Sequence, residues 1–215
     1  MISVRALFFD VFGTLVDWRS GVAREAELVL KPLGLIMDWY AFADAWREQY
    51  QPAMEEVRSG RSPYTKLDVL HRRTLQKVVA RFGIKTLDEA ALAQLTQAWH
   101  RLDAWQDVPD GLARLRQRFL IRWDAILGAD HARDFKPKPK VYLAAADAFD
   151  LPLSECMMCA SHSSDLAAAA ANGLRTAFIP RPQEQPGVSE SAPATPVDVI
   201  AQTTLDLAAK LHQTL

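Results

Sequence analysis

The sequence predicts an α/β fold: a Rossmann-like parallel sheet core with an inserted helical cap domain. Three observations carry this expectation. A short apolar run, Ala6-Leu7-Phe8-Phe9, ends in Asp10 and a glycine turn, Val11-Phe12-Gly13-Thr14. That is the pattern of a buried strand delivering a carboxylate to the carboxyl edge of a sheet, where ligands bind in open α/β folds. Next come about ninety residues whose apolar spacing is helical throughout. From Val108 onward, helical stretches and short apolar runs alternate, which implies a parallel sheet covered on both faces. The expected core is 1–16 with 105–215, and the expected cap is 17–104.

The elements follow in order. Residues 5–9 read as the first strand. Ser20 is placed to cap a helix carrying Val22, Ala26, Val29 and Leu30, ending before Pro32 and Gly34. Asp38 is placed to cap a second helix, with Phe42, Ala45, Trp46, Met54 and Val57 at helical spacing and Pro52 as a kink or break. A third helix is expected over 65–82, stopped by Gly83, and a fourth over 87–102. The core resumes with a helix over 111–118 and short strands over 119–121 and 123–127. A helix over 140–149, a strand over 156–160 and an Ala-rich helix over 165–171 come next, the last closed by Asn172-Gly173. A strand is expected over 175–179. Residues 180–197 are rich in Pro, Ser, Glu and Gln and read as a surface loop. A terminal strand and helix fill 199–211.

Composition narrows the function classes. Of the 215 residues, 49% are apolar, enough for a sizeable core, and the formal net charge of −1 gives no reason to expect nucleic acid or an anionic membrane as a partner. The amino-terminal Met-Ile-Ser-Val-Arg has no signal-peptide pattern, and no run is long and apolar enough to span a bilayer. A cytoplasmic enzyme is therefore expected. The two cysteines, Cys156 and Cys159, have redox-pair spacing but fall in a strand pattern, where residues i and i+3 point to opposite faces. Their sulfurs should not meet, and no second pair exists to complete a metal site.

Three clusters share the carboxyl edge of the expected sheet. Asp10 is either a turn residue or a carboxylate nucleophile. Gly13 allows a tight turn, backbone N–H groups of residues 11–13 could face an anion, and Thr14 could hold one oxygen of Asp10. The stretch Asp134-Phe135-Lys136-Pro137-Lys138-Pro139-Lys140 brings lysines to the same edge, one of which could keep Asp10 ionised. Ser161-His162-Ser163-Ser164-Asp165 supplies either a helix cap or a second carboxylate.

Together these clusters resemble the haloacid dehalogenase-like (HAD) hydrolase superfamily, and more closely its L-2-haloacid dehalogenase (type II) branch, over nearly the whole chain. Phe8-Phe9-Asp10-Val11-Phe12-Gly13-Thr14-Leu15 matches the first motif of that family. Lys136-Pro137 with Tyr142 matches the third and singles out Lys136. Asp165 ahead of the Ala-rich helix matches the fourth, and Trp46-Arg47 in the cap matches the substrate arginine.

The resemblance implies Asp10, Thr14, Lys136 and Asp165 as catalytic residues, and Val11, Phe12, Arg47, Tyr142 and His162 as substrate-binding ones. It implies hydrolysis of a short (S)-2-haloalkanoate to the (R)-2-hydroxyalkanoate through an Asp10 ester. No cofactor is needed, and homodimerisation is a family expectation. The alternative is a phosphatase, the only reading that brings in Mg²⁺. Phosphatases of the superfamily carry a second Asp two residues after the nucleophile, to protonate an alkoxide; this chain has Phe12 there, which suits a halide that needs no proton.

Two departures stand out. Ala160 and His162 occupy positions where related dehalogenases often have Ser and Asn. His162 could orient the hydrolytic water, shape the halide pocket or have no role. The family's second motif, a strand ending in Ser/Thr-Asn and followed by a helix, has no counterpart after Ile121. Residues 119–127 are too few for two parallel neighbours, which need a crossover of about a dozen residues or more. This opens a third reading, a catalytically impaired family member serving as a binding or structural protein, with poor stability expected.

Overall fold

The computed structural model describes residues 4–119 and 127–213. The chain divides into two compact units, 1–16 with 104–215, and 17–103. Strands β1 (Ala6–Phe9), β2 (Val16–Asp17) and β3 (Asp103–Ala104) accompany helices α1 (Trp18–Leu30), α2 (Trp39–Glu48), α3 (Tyr50–Arg58), α4 (Leu67–Arg81) and α5 (Glu89–Thr96). The remainder contains α6 (Val108–Phe119), α7 (Ala129–Ala132), α8 (Pro139–Asp147), β4 (Cys156–Ala160), α9 (Ser163–Ala171), β5 (Arg175–Phe178), β6 (Val199–Ile200) and α10 (Thr204–Gln213).

The first unit is built on a parallel sheet of order β1-β4-β5-β6 among the described residues. Strand β4 shows why both faces need cover. Its alternate side chains Met157 and Cys159 join a cluster with Leu115 of α6 and Leu207, Ala208 and Leu211 of α10. Cys156, Met158 and Ala160 join the opposite cluster, with Tyr142 and Ala146 of α8 and Leu166 and Ala169 of α9. This is the period-two alternation of a strand buried on both sides. The cysteines thus sit in different clusters, both free and buried. Helices α6 and α10 approach closely at Gly111, where a Cβ would fall 2.6 Å from Cβ of Thr204.

The second unit is helical. Trp18, Phe42, Trp46, Leu70, Leu75 and Leu95 form its fully buried interior. Asp38 caps α2, accepting from Ala41 N at 3.0 Å, and Asp88 caps α5. The expected long second helix is two helices meeting at Gln49, because Pro52 has no N–H to give to the carbonyl of Glu48.

Several expectations need correction. Ser20 does not cap α1; Asp17 does, accepting from Ser20 N at 3.0 Å, since a carboxylate at a helix start is the stronger acceptor. The fourth helix ends at Thr96 and passes into a 3₁₀ turn over Gln97–His100. Phe119, expected to open a strand, closes α6, and Leu127 lies in irregular chain. The rest of the expected strands over 119–121 and 123–127, and the missing second motif after Ile121, lie outside the described residues. Asp165 does not cap α9; His162 is the N-cap and Asp165 is the third helical residue.

Candidate active site

Strands β1 and β4 run in register, Phe9 beside Cys159, and Asp10 N donates to the Cys159 carbonyl at 3.0 Å. The loops that leave the two strands therefore start level with each other. From the first comes Asp10, and from the second come Ser161, His162 and Asp165.

The oxygens of Asp10 have different company. Oδ1 accepts from Lys136 Nζ at 3.0 Å. Oδ2 accepts from Thr14 Oγ1 at 2.9 Å and faces His162 Nδ1 at 3.2 Å. Burial alone would raise the Asp10 pKa, but the Lys136 charge and the hydrogen bond and charge of His162 outweigh it and hold the carboxyl well below the usual range. Lys136 also donates to Asp165 Oδ2 at 2.6 Å. Burial opposes its charge, yet the two carboxylates win and keep it an ammonium. Lys138 and Lys140 are exposed, so of the three lysines Lys136 alone enters the cluster.

His162 lies between two carboxylates. Its Nε2 is 3.0 Å from Glu184 Oε2. Burial works against the charged ring, but hydrogen bonds to Asp10 and Glu184 raise its pKa to about 10. Glu184 comes from the 180–197 loop and is itself buried. Its carboxylate fills the space over Gly13, where a Cβ would fall 2.1 Å from Oε1 and where φ is +88°. Only glycine fits both the turn and its neighbour.

The turn after Asp10 is fixed by distant residues. Trp105 Nε1 donates to the Gly13 carbonyl at 2.9 Å, and Arg181 Nε to the Thr14 carbonyl at 2.9 Å. Arg181 is fork-bonded to Asp107 at 2.6 and 3.1 Å, and Asp107 accepts from Thr204 N at the start of α10. Thr14 Oγ1 accepts from Ser161 N at 2.9 Å. On the other loop, Glu190 accepts from both the backbone and the hydroxyl of Ser163.

One expectation changes here. Gly13 N is bonded to the Val16 carbonyl at 3.0 Å, so it does not face an anion. Tyr142 is buried and gives its hydroxyl proton to Asp165 Oδ1 at 2.6 Å, so its donor is engaged by a carboxylate. Its own pKa is pushed far up, by burial first and then by the Asp165 charge. Val11 and Phe12 flank the nucleophile position, with Val11 half-exposed. Sequence reasoning missed Glu184, Arg181, Asp107 and Trp105. Each acts across a long stretch of chain with no local pattern to mark it.

Arg47 belongs to the helical unit. There its guanidinium lies over the rings of Tyr50, at 4.3 Å, and Trp18, at 5.2 Å. His71, also unmarked in the sequence, stacks on Trp99 at 4.4 Å. Burial, then the Arg47 charge, lower its pKa to about 3, so the ring is neutral.

Asp10 and Asp165 are the carboxylates that would hold a divalent cation, but a single ammonium bridges them and Tyr142 takes the remaining Asp165 oxygen. Among the described residues, no group of three or more His, Cys, Asp or Glu is placed to hold a metal ion. No described helix is long and apolar enough to cross a membrane.

A carboxylate nucleophile position, a bridging lysine and a second carboxylate at the edge of a parallel sheet, with a helical unit inserted after the first strand, define a HAD-type hydrolase. No family model matches the chain. It is 40% identical to the L-2-haloacid dehalogenase PA0810, over 98% of this chain and 99% of that one, with a TM-score of 0.89. It is 39% identical to the defluorinating L-2-haloacid dehalogenase Rha0230, over 97% and 95%, with a TM-score of 0.91. A curated relative, (S)-2-haloacid dehalogenase 1 of Pseudomonas sp. (strain CBS-3), is 27% identical over 86% of this chain and 89% of its own. The chain belongs to the L-2-haloacid dehalogenase (type II) family of the HAD superfamily.

Proposed function

We propose that the protein is an (S)-2-haloacid dehalogenase, a hydrolase that cleaves the carbon–halogen bond of a short 2-haloalkanoate. The observation that carries the reading is an Asp10 carboxylate kept ionised beside Lys136 and His162, with Phe12 where a phosphatase would need an acid. The names of the relatives support it.

The oxygens of Asp10 divide the work. Oδ2 already accepts two hydrogen bonds and Oδ1 accepts one, so Oδ1 has the more available lone pair. Oδ1 attacks the halogen-bearing carbon from behind, the carbon–halogen bond breaks, and halide leaves with the bonding pair. Configuration inverts and an ester forms. Water then attacks Cγ of Asp10. Asp165 takes a proton from that water, and the Cγ–Oδ1 bond breaks. The alkoxide takes a proton from Lys136, which recovers it from Asp165 across 2.6 Å. The regenerated carboxyl of Asp10 ionises and one proton leaves to solvent. The products are a 2-hydroxy acid, halide and a proton.

Backbone around Val11 and Phe12 holds the substrate carboxylate, and Arg47 is the arginine to which the family resemblance assigns the halide. The same reading is compatible with a cytoplasmic enzyme that has neither nucleic acid nor membrane as a partner, homodimerisation being a family expectation. The test is halide release from L-2-chloropropionate with and without EDTA. Release that EDTA leaves unchanged is expected; phosphate-ester cleavage abolished by EDTA would replace this reading with the phosphatase.

A further inference from the structure

We propose that Thr14 Oγ1–H and His162 Nδ1–H form an oxyanion cradle around Asp10 Oδ2 that acts in hydrolysis of the ester, with Glu184 as the positioning residue that keeps His162 a donor. This rests on the ester reading above and adds a role for the oxygen that does not attack. Thr14 has one hydroxyl proton. Its oxygen accepts from Ser161 N at 2.9 Å and pairs with Ser161 Oγ at 3.0 Å, so the proton is directed to Oδ2, 2.9 Å away. The imidazole of His162 faces a carboxylate at each nitrogen, Asp10 at 3.2 Å and Glu184 at 3.0 Å, so each nitrogen carries a proton. Both donors lie at or near the distance useful for stabilising an oxyanion.

The two chemical steps ask opposite things of this pair. In the first, Asp10 loses its charge, and donors on Oδ2 favour the starting carboxylate. In the second, the π pair of the ester carbonyl moves onto Oδ2 as water bonds to Cγ, so charge appears where the donors already point. Once Asp10 is esterified, Glu184 is, among the described residues, the carboxylate left to hold His162. Docked over Gly13 from a loop more than 170 residues along the chain, Glu184 makes the donor outlast the charge of Asp10. The charged and titratable groups set against His162 are Asp10 and Glu184.

The half-reactions separate the roles. In His162→Ala mixed rapidly with L-2-chloropropionate, we expect a chloride burst of one equivalent per site, within about threefold of the wild-type rate. Steady-state turnover should fall about 10²–10³-fold, and intact mass should show the propionyl ester on the protein. Glu184→Gln, an isosteric change, should accumulate ester as pH rises, at a lower pH than wild type. Equal loss of burst and turnover in a folded His162→Ala, without adduct, overturns the proposal. So does an unchanged pH profile in Glu184→Gln, which decides the matter if His162→Ala fails to fold. A single turnover of wild type in ¹⁸O-water tests the ester reading separately. An unlabelled hydroxyl in the product supports the ester, and a labelled one removes the reading on which the cradle depends.

Discussion

Strands β1 and β4 are parallel neighbours, and each delivers a loop to the same site, yet they are supported in different ways. Every residue of β4 is buried, and its loop runs straight into α9. Every residue of β1 is only partly buried, and its loop turns through Gly13 without entering a helix at once. The loop of β4 is positioned largely by its own strand and helix. That of β1 is held from afar, by Trp105, Arg181 and Ser161. The more reactive residue therefore sits on the less self-sufficient element, and precision at Asp10 is a property of the whole unit.

The comparison can be broken from its chemical end. Asp10→Asn should lower halide release by more than about 10⁴-fold and also lower the melting temperature, because Lys136 and His162 lose the carboxylate that pairs with them. A smaller loss would mean that β1 does not carry the nucleophile. Lys136→Ala should cost about 10²–10³-fold in turnover, and because it strips the shared counter-charge from both loops, it tests whether they act as one unit. Removing a distant support is next. Arg181→Ala leaves Asp107 and the Thr14 carbonyl without their partner and should destabilise by about 3 kcal/mol; denaturant titration beside activity shows whether the β1 loop depends on it.

A pH titration of stability sharpens the same point. The His162 pKa is raised, so its contribution is complete below its ordinary 6.5 and is lost as pH rises through about 10. That of Asp10 is depressed, so its contribution is present above its ordinary 3.8 and lost as acid protonates it in the folded state. Stability of wild type should thus fall between those alkaline limits, and the fall should be shallower in His162→Asn. The smallest effect belongs to the middle of β4. Met157→Leu, close in volume, should cost less than about 1.5 kcal/mol and leave turnover unaltered.

How much was legible follows from this contrast. The run into Asp10 is marked by a short local pattern, because a strand end and a turn are local events. The core strand 156–160 was readable for the same reason. The residues alone leave open which of three lysines faces Asp10 and whether Asp165 is a cap, and it is the family resemblance that singles out Lys136 and Asp165. Glu184 was not legible, since a glutamate in a polar loop looks solvated until the fold sets it over Gly13. Arg181 and Asp107 were hidden likewise, their partnership existing only after α6 and α10 meet at Gly111. Tyr142 was visible as a residue, but its partner was not. The cap of α2 at Asp38 is legible, whereas that of α1 is not, because Asp17 and Ser20 compete for one N-terminus and acceptor strength decides between them.

The register between Phe9 and Cys159 has a consequence for how this protein can change over evolutionary time. A step along a strand is about 3.3 Å, longer than the tolerance of any hydrogen bond around Asp10. The buried methionines and cysteines of β4 can be exchanged for other apolar residues of similar bulk, but their number cannot drift. One residue inserted or deleted there would carry His162 out of reach of both Asp10 and Glu184 and turn the strand's two faces inside out. The stretch Cys156–Ala160 should therefore be free in spelling and fixed in length, a ruler rather than a message.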